Sequence, residues 1–376
     1  MPGPPNPLAS QPAGTPTPIG ATPTPGPNPP MALSLPSGFH VYMVSNNVPG
    51  ARFMAFAPNG DLLVSETGSG RVVAIKPGAA ETTAPTLVAS GLNTPHGLAF
   101  HGNDLYITVY SGLDVIRNYP TTTLPTTPQV LYSGLPTNGD HINHSLAIAA
   151  DGTVFESSGS DCNLCAEGDP KLATIMTMHS DGSSATLYAT GVRNGSGIAF
   201  DVAGQLWMVV NQRDDIPNPP GVTNFPPDEF DKVVANGNYG WPTCYPDLSG
   251  TRQVNPDTPI AASNCNGQTP TTRPLQAHSA PLGITFYNAT LFPVQYRGGA
   301  FVAFHGSWDR TPKTGYKVVY VSFSGGSPTG VADFVTGWLD ASQNVSGRPV
   351  GLAVAPDGEL YISDDSNGFI YRVSYG

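Results

Sequence analysis

Short apolar runs, each followed by a small polar turn and a second apolar run, recur along the chain. The first run of each unit falls at 54–56, 98–100, 146–148, 198–200, 284–286 and 352–354, in stretches such as FMAFAPNGDLLVSE, GLAFHGNDLYITV and GLAVAPDGELYISDD. Each stretch predicts a β-hairpin, and six of them, spaced by 44, 48, 52, 86 and 68 residues, predict repeated blades. No segment sustains an apolar period of about 3.6 residues, so helices are not expected. A β-sandwich would also give many short strands, but not one inner hairpin repeated in this way. The pattern predicts an all-β, six-bladed β-propeller with four strands per blade and long insertions in the fourth and fifth units. The opening strand GFHVYMVS and the closing strand FIYRVSYG are expected to complete one blade together and close the ring, which removes free edges.

The hairpin topology sorts the chain by face. Turns such as PNG, ADG and PDG belong on one face, because consecutive antiparallel strands share a turn at one end. Entrances to inner strands and exits from second strands then belong on the other. That face collects PHG, GDHINHS, GVRNGSG, HSAPLG and GRPVG with SETGSGR, SDCNLC, NQRDDI, FHGSWDR and SDDSNG. His96, His141, His144, His278 and His305 fall there, with Arg193, Arg213, Arg310 and Arg348. Guanidinium groups bind carboxylates in a fixed fork, so the set suggests a polyanionic ligand. A histidine of near-neutral pKa offers a base, and Asp140 beside His141 is a candidate to orient it, although such a dipeptide is as readily structural.

Composition narrows the class. Residues 1–30 hold twelve of the forty prolines and no charged or aromatic residue. They read as a disordered Pro/Thr-rich linker, and residues 31–376 as one domain. A Met set directly before such a linker suggests a piece of a longer modular protein. No apolar run approaches the roughly 18 residues of a membrane span, and no signal-peptide pattern opens the chain. Charged residues are 11% of the chain against about 25% in typical soluble domains, and the formal net charge is −11. Nucleic acid and anionic membrane are therefore excluded as expected partners, since both demand clustered Lys and Arg. A monomer is expected.

The four cysteines form two local pairs, Cys162 with Cys165 and Cys244 with Cys265, which fits two disulfides and an oxidising, secreted setting. Zinc is the rival use, but no second CxxC stands at ribbon spacing. Sequons at Asn288 and Asn344 also fit secretion. Those at Asn143 and Asn194 lie on the functional face and are expected to be unmodified.

The stretches PHGLAF, DHINHSLAI, SDCNLC, ATGVRNGSGIAF, PPDEFDKVVANGNYGWP, HSAPLGITFY, YRGGAFVAFHGSWDRTPKTGYKV and GRPVGLAVAPDG together resemble the glucose/sorbosone dehydrogenase family. Its members depend on pyrroloquinoline quinone (PQQ), and the likeness spans residues 38–375. With the Pro/Thr-rich linker, the chain is most similar to the fungal secreted pyranose dehydrogenases, where this domain adjoins a haem domain.

The resemblance implies oxidation of a pyranose sugar at C1, with electrons passed to a haem domain or a soluble acceptor. It implies His141 as general base and Arg193 with Asn194 beside the quinone. Arg348, Arg310 and His305 would hold the cofactor, and Trp308 would stack on its ring. His96 and Asp140 would meet the substrate; His96 and Ser196 stand where relatives carry glutamines, so substrate range is expected to differ. Main-chain carbonyls of Arg213 and Asp214 would hold Ca²⁺, with Asp228 and Glu229 serving a second ion.

Two alternatives stay open. One is a calcium-dependent lactonase in which Glu66, Asn211 and Asp364 converge on an ion. The other is a propeller that only binds partners, because fold alone does not fix function.

Overall fold

The computed structural model describes residues 26–376 except 121–122, 138, 215, 217–223, 259 and 262–263. Its strands form six four-stranded antiparallel sheets and one separate two-stranded hairpin. The first blade runs outward from the axis as Ala51–Phe56, Leu62–Glu66, Arg71–Ile75 and Thr86–Ala89. The inner strands of the next blades are Leu98–His101, Ser145–Ile148, Gly195–Phe200, Pro281–Phe286 and Pro349–Val354. Each inner strand touches the next around the ring, and the last touches the first. Phe39–Ser45 completes the last blade by pairing with Phe369–Tyr375, so the expected closure is what the structure shows. Among the described residues helix is limited to two single 3₁₀ turns, Thr67–Ser69 and Val294–Tyr296.

Alternation along each strand decides how the blades pack. In Leu62–Glu66 every residue is buried, because one face meets the preceding blade and the other the following one. Leu62 and Val64 join Met54, Ala353 and Ile370, while Leu63 joins Val72, Leu105 and Ile107. The same division gives one apolar cluster at each of the six blade interfaces, the largest built on Phe39, Phe292, Phe301, Phe334 and Trp338. Burial of such aromatic side chains is the main force joining the blades.

Nearer the axis the joints are polar. Ser65 Oγ donates to His96 O at 2.7 Å, Thr108 Oγ1 to His144 O at 2.5 Å and Ser157 Oγ to Gly195 O at 2.5 Å, each crossing to the next blade. Ser196 Oγ bonds Pro281 O, and Ser363 Oγ bonds Arg52 O at 2.5 Å, in the same manner. Small side chains are needed there: a Cβ on Gly197, Gly283 or Gly351 would stand 2.1 to 2.3 Å from a carbonyl oxygen of the adjoining blade. The tight ring fixes where each inner strand begins, and so fixes the loops that precede it.

The long insertion expected in the fourth unit is the hairpin Cys244–Pro246 with Arg252–Val254, placed between Glu229–Lys232 and Arg273–Pro274. Disulfides join Cys162 to Cys165 and Cys244 to Cys265, and no cysteine is free among the described residues. The linker expected over 1–30 falls mostly on residues 1–25, which lie outside the described residues. Pro27 O already accepts from Met43 N at 2.8 Å, so the packed chain begins ahead of Met31.

Candidate functional site

Loops at strand entrances and exits of the third, fourth and fifth blades enclose a cavity of about 320 Å³. That lies at the lower end of the usual range for small-molecule sites. Its lining includes Asp140, His141, Arg193, Asn194, Asp214, Asp228 and Trp308 of the residues singled out from sequence. Asn163, Gln212, His278, Ser307 and Asp309 also line it.

His141 is carried at the entrance to Ser145–Ile148, over the exit of Val154–Ser158. A Cβ on Gly159 would stand 2.4 Å from His141 Cβ, so glycine is what lets the two segments pass. His141 Nδ1 faces Ser160 O at 3.0 Å and Ser160 Oγ at 2.9 Å. Ser160 Oγ donates its own proton to Cys162 O at 2.9 Å, so it can only accept from the imidazole. Both contacts therefore place the proton on Nδ1 and leave the Nε2 lone pair as the base. Burial, helped by the Arg193 charge, lowers the His141 pKa to about 4, against the Ser160 hydrogen bond and Asp140. The orienting role expected of Asp140 thus falls, in the contacts, to Ser160.

Arg193 is buried, with its guanidinium 5.4 Å from the Trp241 ring. Its NH1 donates to Asn211 O at 3.1 Å and Gln212 O at 2.9 Å, and its NH2 to Asn163 Oδ1 at 2.9 Å. Arg193 therefore braces two loops while presenting charge to the cavity. Burial pulls its pKa down to about 10, still well charged at neutral pH.

Opposite stand carboxylates. Asp214, His278 and Asp309 each offer a ligand atom, all within 4.8 Å of one another. Burial raises the Asp214 pKa. Asp228 is buried and accepts from Gln212 N at 3.0 Å, Ser279 N at 2.8 Å and Ala280 N at 3.2 Å, which ties the loop after Val210 to the one bearing His278. Burial pushes Asp228 up to about 7 in spite of those bonds. Four aspartates and one arginine line the cavity, so an anionic ligand needs a cation to enter beside it.

Other residues singled out from sequence stand apart from the lining. Arg213 pairs with Asp257, and its Nε reaches Asp214 O at 3.1 Å. Arg310 donates to Ala277 O at 2.9 Å and Asn224 Oδ1 at 2.6 Å. Arg348 donates to His305 O at 3.2 Å and Gly306 O at 2.8 Å. His305 Nε2 pairs with Asp365 Oδ1 at 2.9 Å, and Arg52 holds the other oxygen at 2.7 Å. His96 is buried against Phe53, its pKa well below the ordinary histidine range through burial. Glu229 is buried in a pair with Arg252 at 2.7 Å, which turns it away from a role at an open ion site. The expected arginine cage thus contributes one arginine to the cavity, because the others brace loop carbonyls or carboxylates.

His278, Asp309, Asn163 and Gln212 were not assigned roles from sequence. Their signal was position: each lies inside a motif already on the functional face. Trp308 is 78% exposed and offers a flat apolar surface at the cavity's edge.

Residues 33–376 match a family model described as TrAA12-like. A pyrroloquinoline quinone-dependent sugar dehydrogenase of Hypocrea jecorina is 28% identical, over 89% of this chain and 87% of its own length. A pyrroloquinoline quinone-dependent pyranose dehydrogenase of Coprinopsis cinerea is also 28% identical, over 92% of this chain and 55% of its own. The holo form of the PQQ domain of the Coprinopsis cinerea pyranose dehydrogenase superposes with a TM-score of 0.79 at 23% identity, covering 93% of this chain and 98% of that one. That structural likeness bears on the fold alone.

Proposed function

The chain belongs to the TrAA12-like family, and on that premise we propose that it is a PQQ-dependent dehydrogenase of pyranose sugars that works with a divalent cation. The observation that carries this reading is His141, whose Nδ1 is held by Ser160 so that Nε2 is a free base at the cavity, with Arg193 and Asn194 beside it. The cavity fits a flat anionic group in company with a cation: Trp308 supplies a ring surface, Arg193 supplies positive charge, and the buried atoms Asn211 Oδ1 and Asp309 Oδ2 have no hydrogen-bond partner among the described residues.

The quinone, when bound, supplies the two-electron acceptor for the hydride lost from sugar C1. His141 Nε2 takes the proton of the C1 hydroxyl, so that a cyclic hemiacetal becomes a lactone with both electrons and the proton accounted for. Arg193, charged at the cavity wall, would stabilise negative charge on a bound acceptor. Substrate contact falls to Asp140, exposed at the rim. Electrons then pass to a haem domain or a soluble acceptor. The two disulfides suit a secreted protein.

The lactonase alternative finds less support. Glu66 bonds Arg71 Nε at 2.6 Å and Ser69 Oγ at 3.1 Å, and Asp364 accepts from Arg348 N and Tyr371 Oη, both at 3.0 Å. Each is engaged in its own loop. The test is to mix apo-protein with PQQ and a divalent cation and follow sugar-dependent dye reduction, with lactone hydrolysis in the absence of quinone as the second arm. Dye reduction is expected. Hydrolysis without it would overturn the proposal.

A further inference from the structure

We infer that the loop closed by the Cys162–Cys165 disulfide is the positioning element of the cavity, and that through Ser160 and Asn163 it sets where His141 and Arg193 stand. The consequence for turnover rests on the function proposed above; the positioning itself does not.

The chain between Val154–Ser158 and Thr174–Met178 has no strand or helix of its own. Connections of that length tend to serve function, and their shape depends on specific ties. Two sets of ties meet at this one.

The first set reaches the base. Ser160 faces His141 Nδ1 with both its carbonyl and its hydroxyl, and that hydroxyl donates to Cys162 O at 2.9 Å. The path from imidazole to disulfide loop is therefore two hydrogen bonds long. Asp161 O also accepts from Asp140 N at 2.9 Å, so the residue before the base is held by the residue before Cys162.

The second set reaches the arginine. Asn163, inside the closed loop, accepts from Arg193 Nε on its carbonyl at 3.2 Å and from Arg193 NH2 on its Oδ1 at 2.9 Å. The same Oδ1 accepts from Asp214 N at 2.9 Å. Ser160 N donates to Arg193 O at 2.6 Å, so the arginine is gripped at backbone and side chain. Yet Asn163 is exposed. On an open chain an exposed asparagine readily exchanges such bonds for water, and closing the chain around it removes that freedom.

The disulfide's span also points to a local role. The entropy that a cross-link takes from the unfolded chain grows with the length it closes, so a bridge between residues 3 apart restrains that chain less than Cys244–Cys265, 21 apart. The far side of the loop is fastened as well. Glu167 accepts from Asp161 N at 2.8 Å and from Trp241 Nε1 at 2.6 Å, and that indole lies against the Arg193 guanidinium.

Opening the loop should let water reach His141. Burial and the Arg193 charge lower its pKa to about 4, while Ser160 and Asp140 act the other way. Burial is the largest of these, so loss of the disulfide should move the imidazole up toward the ordinary value of about 6.5.

The test follows His141 in quinone-free full chain by nuclear magnetic resonance titration of the imidazoles, with His141→Gln to assign its signal. The loop is opened in two ways. One is the double variant Cys162→Ser with Cys165→Ser. The other is wild type treated with dithiothreitol, whose two thiols supply two electrons and two protons to the disulfide and leave as a cyclic disulfide. Cys162 and Cys165 are half-buried whereas Cys244 is buried, so the reagent should open this pair first, and mass spectrometry of alkylated peptides shows which bond has opened. Circular dichroism establishes folding, and the reduced wild type decides the matter where the double variant does not fold. The expected result by either route is a His141 midpoint raised to about 5 or above. After quinone and cation are added, kcat should be lower by about tenfold or more, with the sugar KM changed less. A folded, open-loop protein whose midpoint stays near pH 4 would overturn the proposal whatever its melting temperature, because a purely stabilising disulfide behaves in that way. A raised midpoint in a protein whose wild type oxidises no sugar would defeat the dehydrogenase reading and leave the positioning standing. Sugar oxidation by wild type, with an unmoved midpoint in the open-loop forms, would do the reverse.

Discussion

Two polar clusters share the functional face, and they differ in how completely they are paired. One, on the fifth, sixth and first blades, joins Arg52, His305 and Asp365, with Arg348 donating to the His305 and Gly306 carbonyls. Burial alone would raise Asp365, but the His305 hydrogen bond and the Arg52 charge more than reverse it and hold the carboxyl at about 2. The other lines the cavity and leaves Asp309 Oδ2, Asn211 Oδ1 and the Nε2 of His141 without protein partners among the described residues. A closed network stabilises the fold. An open one is where a ligand gains binding energy.

The largest effect expected from breaking this comparison is at the open cluster. His141→Ala should lower turnover by roughly 10²- to 10⁴-fold, the usual worth of a general base, while the quinone Kd changes far less. Steady-state kinetics on reconstituted enzyme, with quinone titration monitored by fluorescence, checks both. A variant retaining normal turnover would remove His141 from the mechanism.

At the closed cluster, Asp365→Asn should cost about 2 kcal/mol of stability at neutral pH, from a carboxyl held at about 2, below the ordinary aspartate range. The sign follows from the lowered folded-state pKa. The contribution is complete above about pH 4 and is lost as pH falls through about 2, so wild type and variant should converge there in denaturant melts. Sugar oxidation at neutral pH should survive in the variant. Loss of quinone binding would show that the two clusters act as one.

The acid limb of kcat/KM should lie near pH 4, because His141 must be neutral to accept a proton and its pKa is lowered to about 4. Rates should be flat above that limb until another group intervenes. A limb at pH 6 or higher would mean that bound ligands reverse the effect of burial and of Arg193.

The smallest effect is expected from Ser160→Ala. The backbone carbonyl of residue 160 still accepts from Nδ1, so turnover should fall only a few-fold, with the acid limb displaced to slightly lower pH as one hydrogen bond favouring the imidazolium is lost. A loss as large as that of His141→Ala would make the hydroxyl, and not the carbonyl, the main orienting group.

The blades were legible because inner hairpins such as FMAFAPNGDLLVSE and GLAVAPDGELYISDD repeat both an apolar run and a turn. Strands buried between two neighbours need apolar residues on both faces, so they survive in the sequence as short continuous apolar runs. The closing pair, 39–45 with 369–375, followed from the need to leave the ring no free edge. That His141, Arg193 and Asn194 would share one face was legible through the motifs that carry them, and all three line the cavity.

Loop side-chain direction was not legible, since no period governs it. Arg310 and Arg348 look alike in sequence to Arg193, yet they turn to backbone carbonyls outside the cavity lining. Asp309 was passed over because a search for a polyanion weights positive residues, and His278 was counted only as one of those. Their pairing depends on two loops meeting across Asp228, a contact between positions far apart in the chain.

The shared last blade also decides how the ring would yield to tension. Phe39 pairs with Tyr375, and Gly376 N reaches Gly38 O at 3.1 Å, so the two ends of the blade's joint leave from the same edge. Strands pulled from one common edge separate one ladder bond at a time, as a zipper opens. A pair pulled from opposite edges would have to shear all its bonds together. Force applied through the two ends of this domain should therefore release the leading segment, where Pro27 holds Met43 and Ser34 bridges Thr336, and then peel Phe39–Ser45 away, opening the ring while the blades that carry the cavity stay folded.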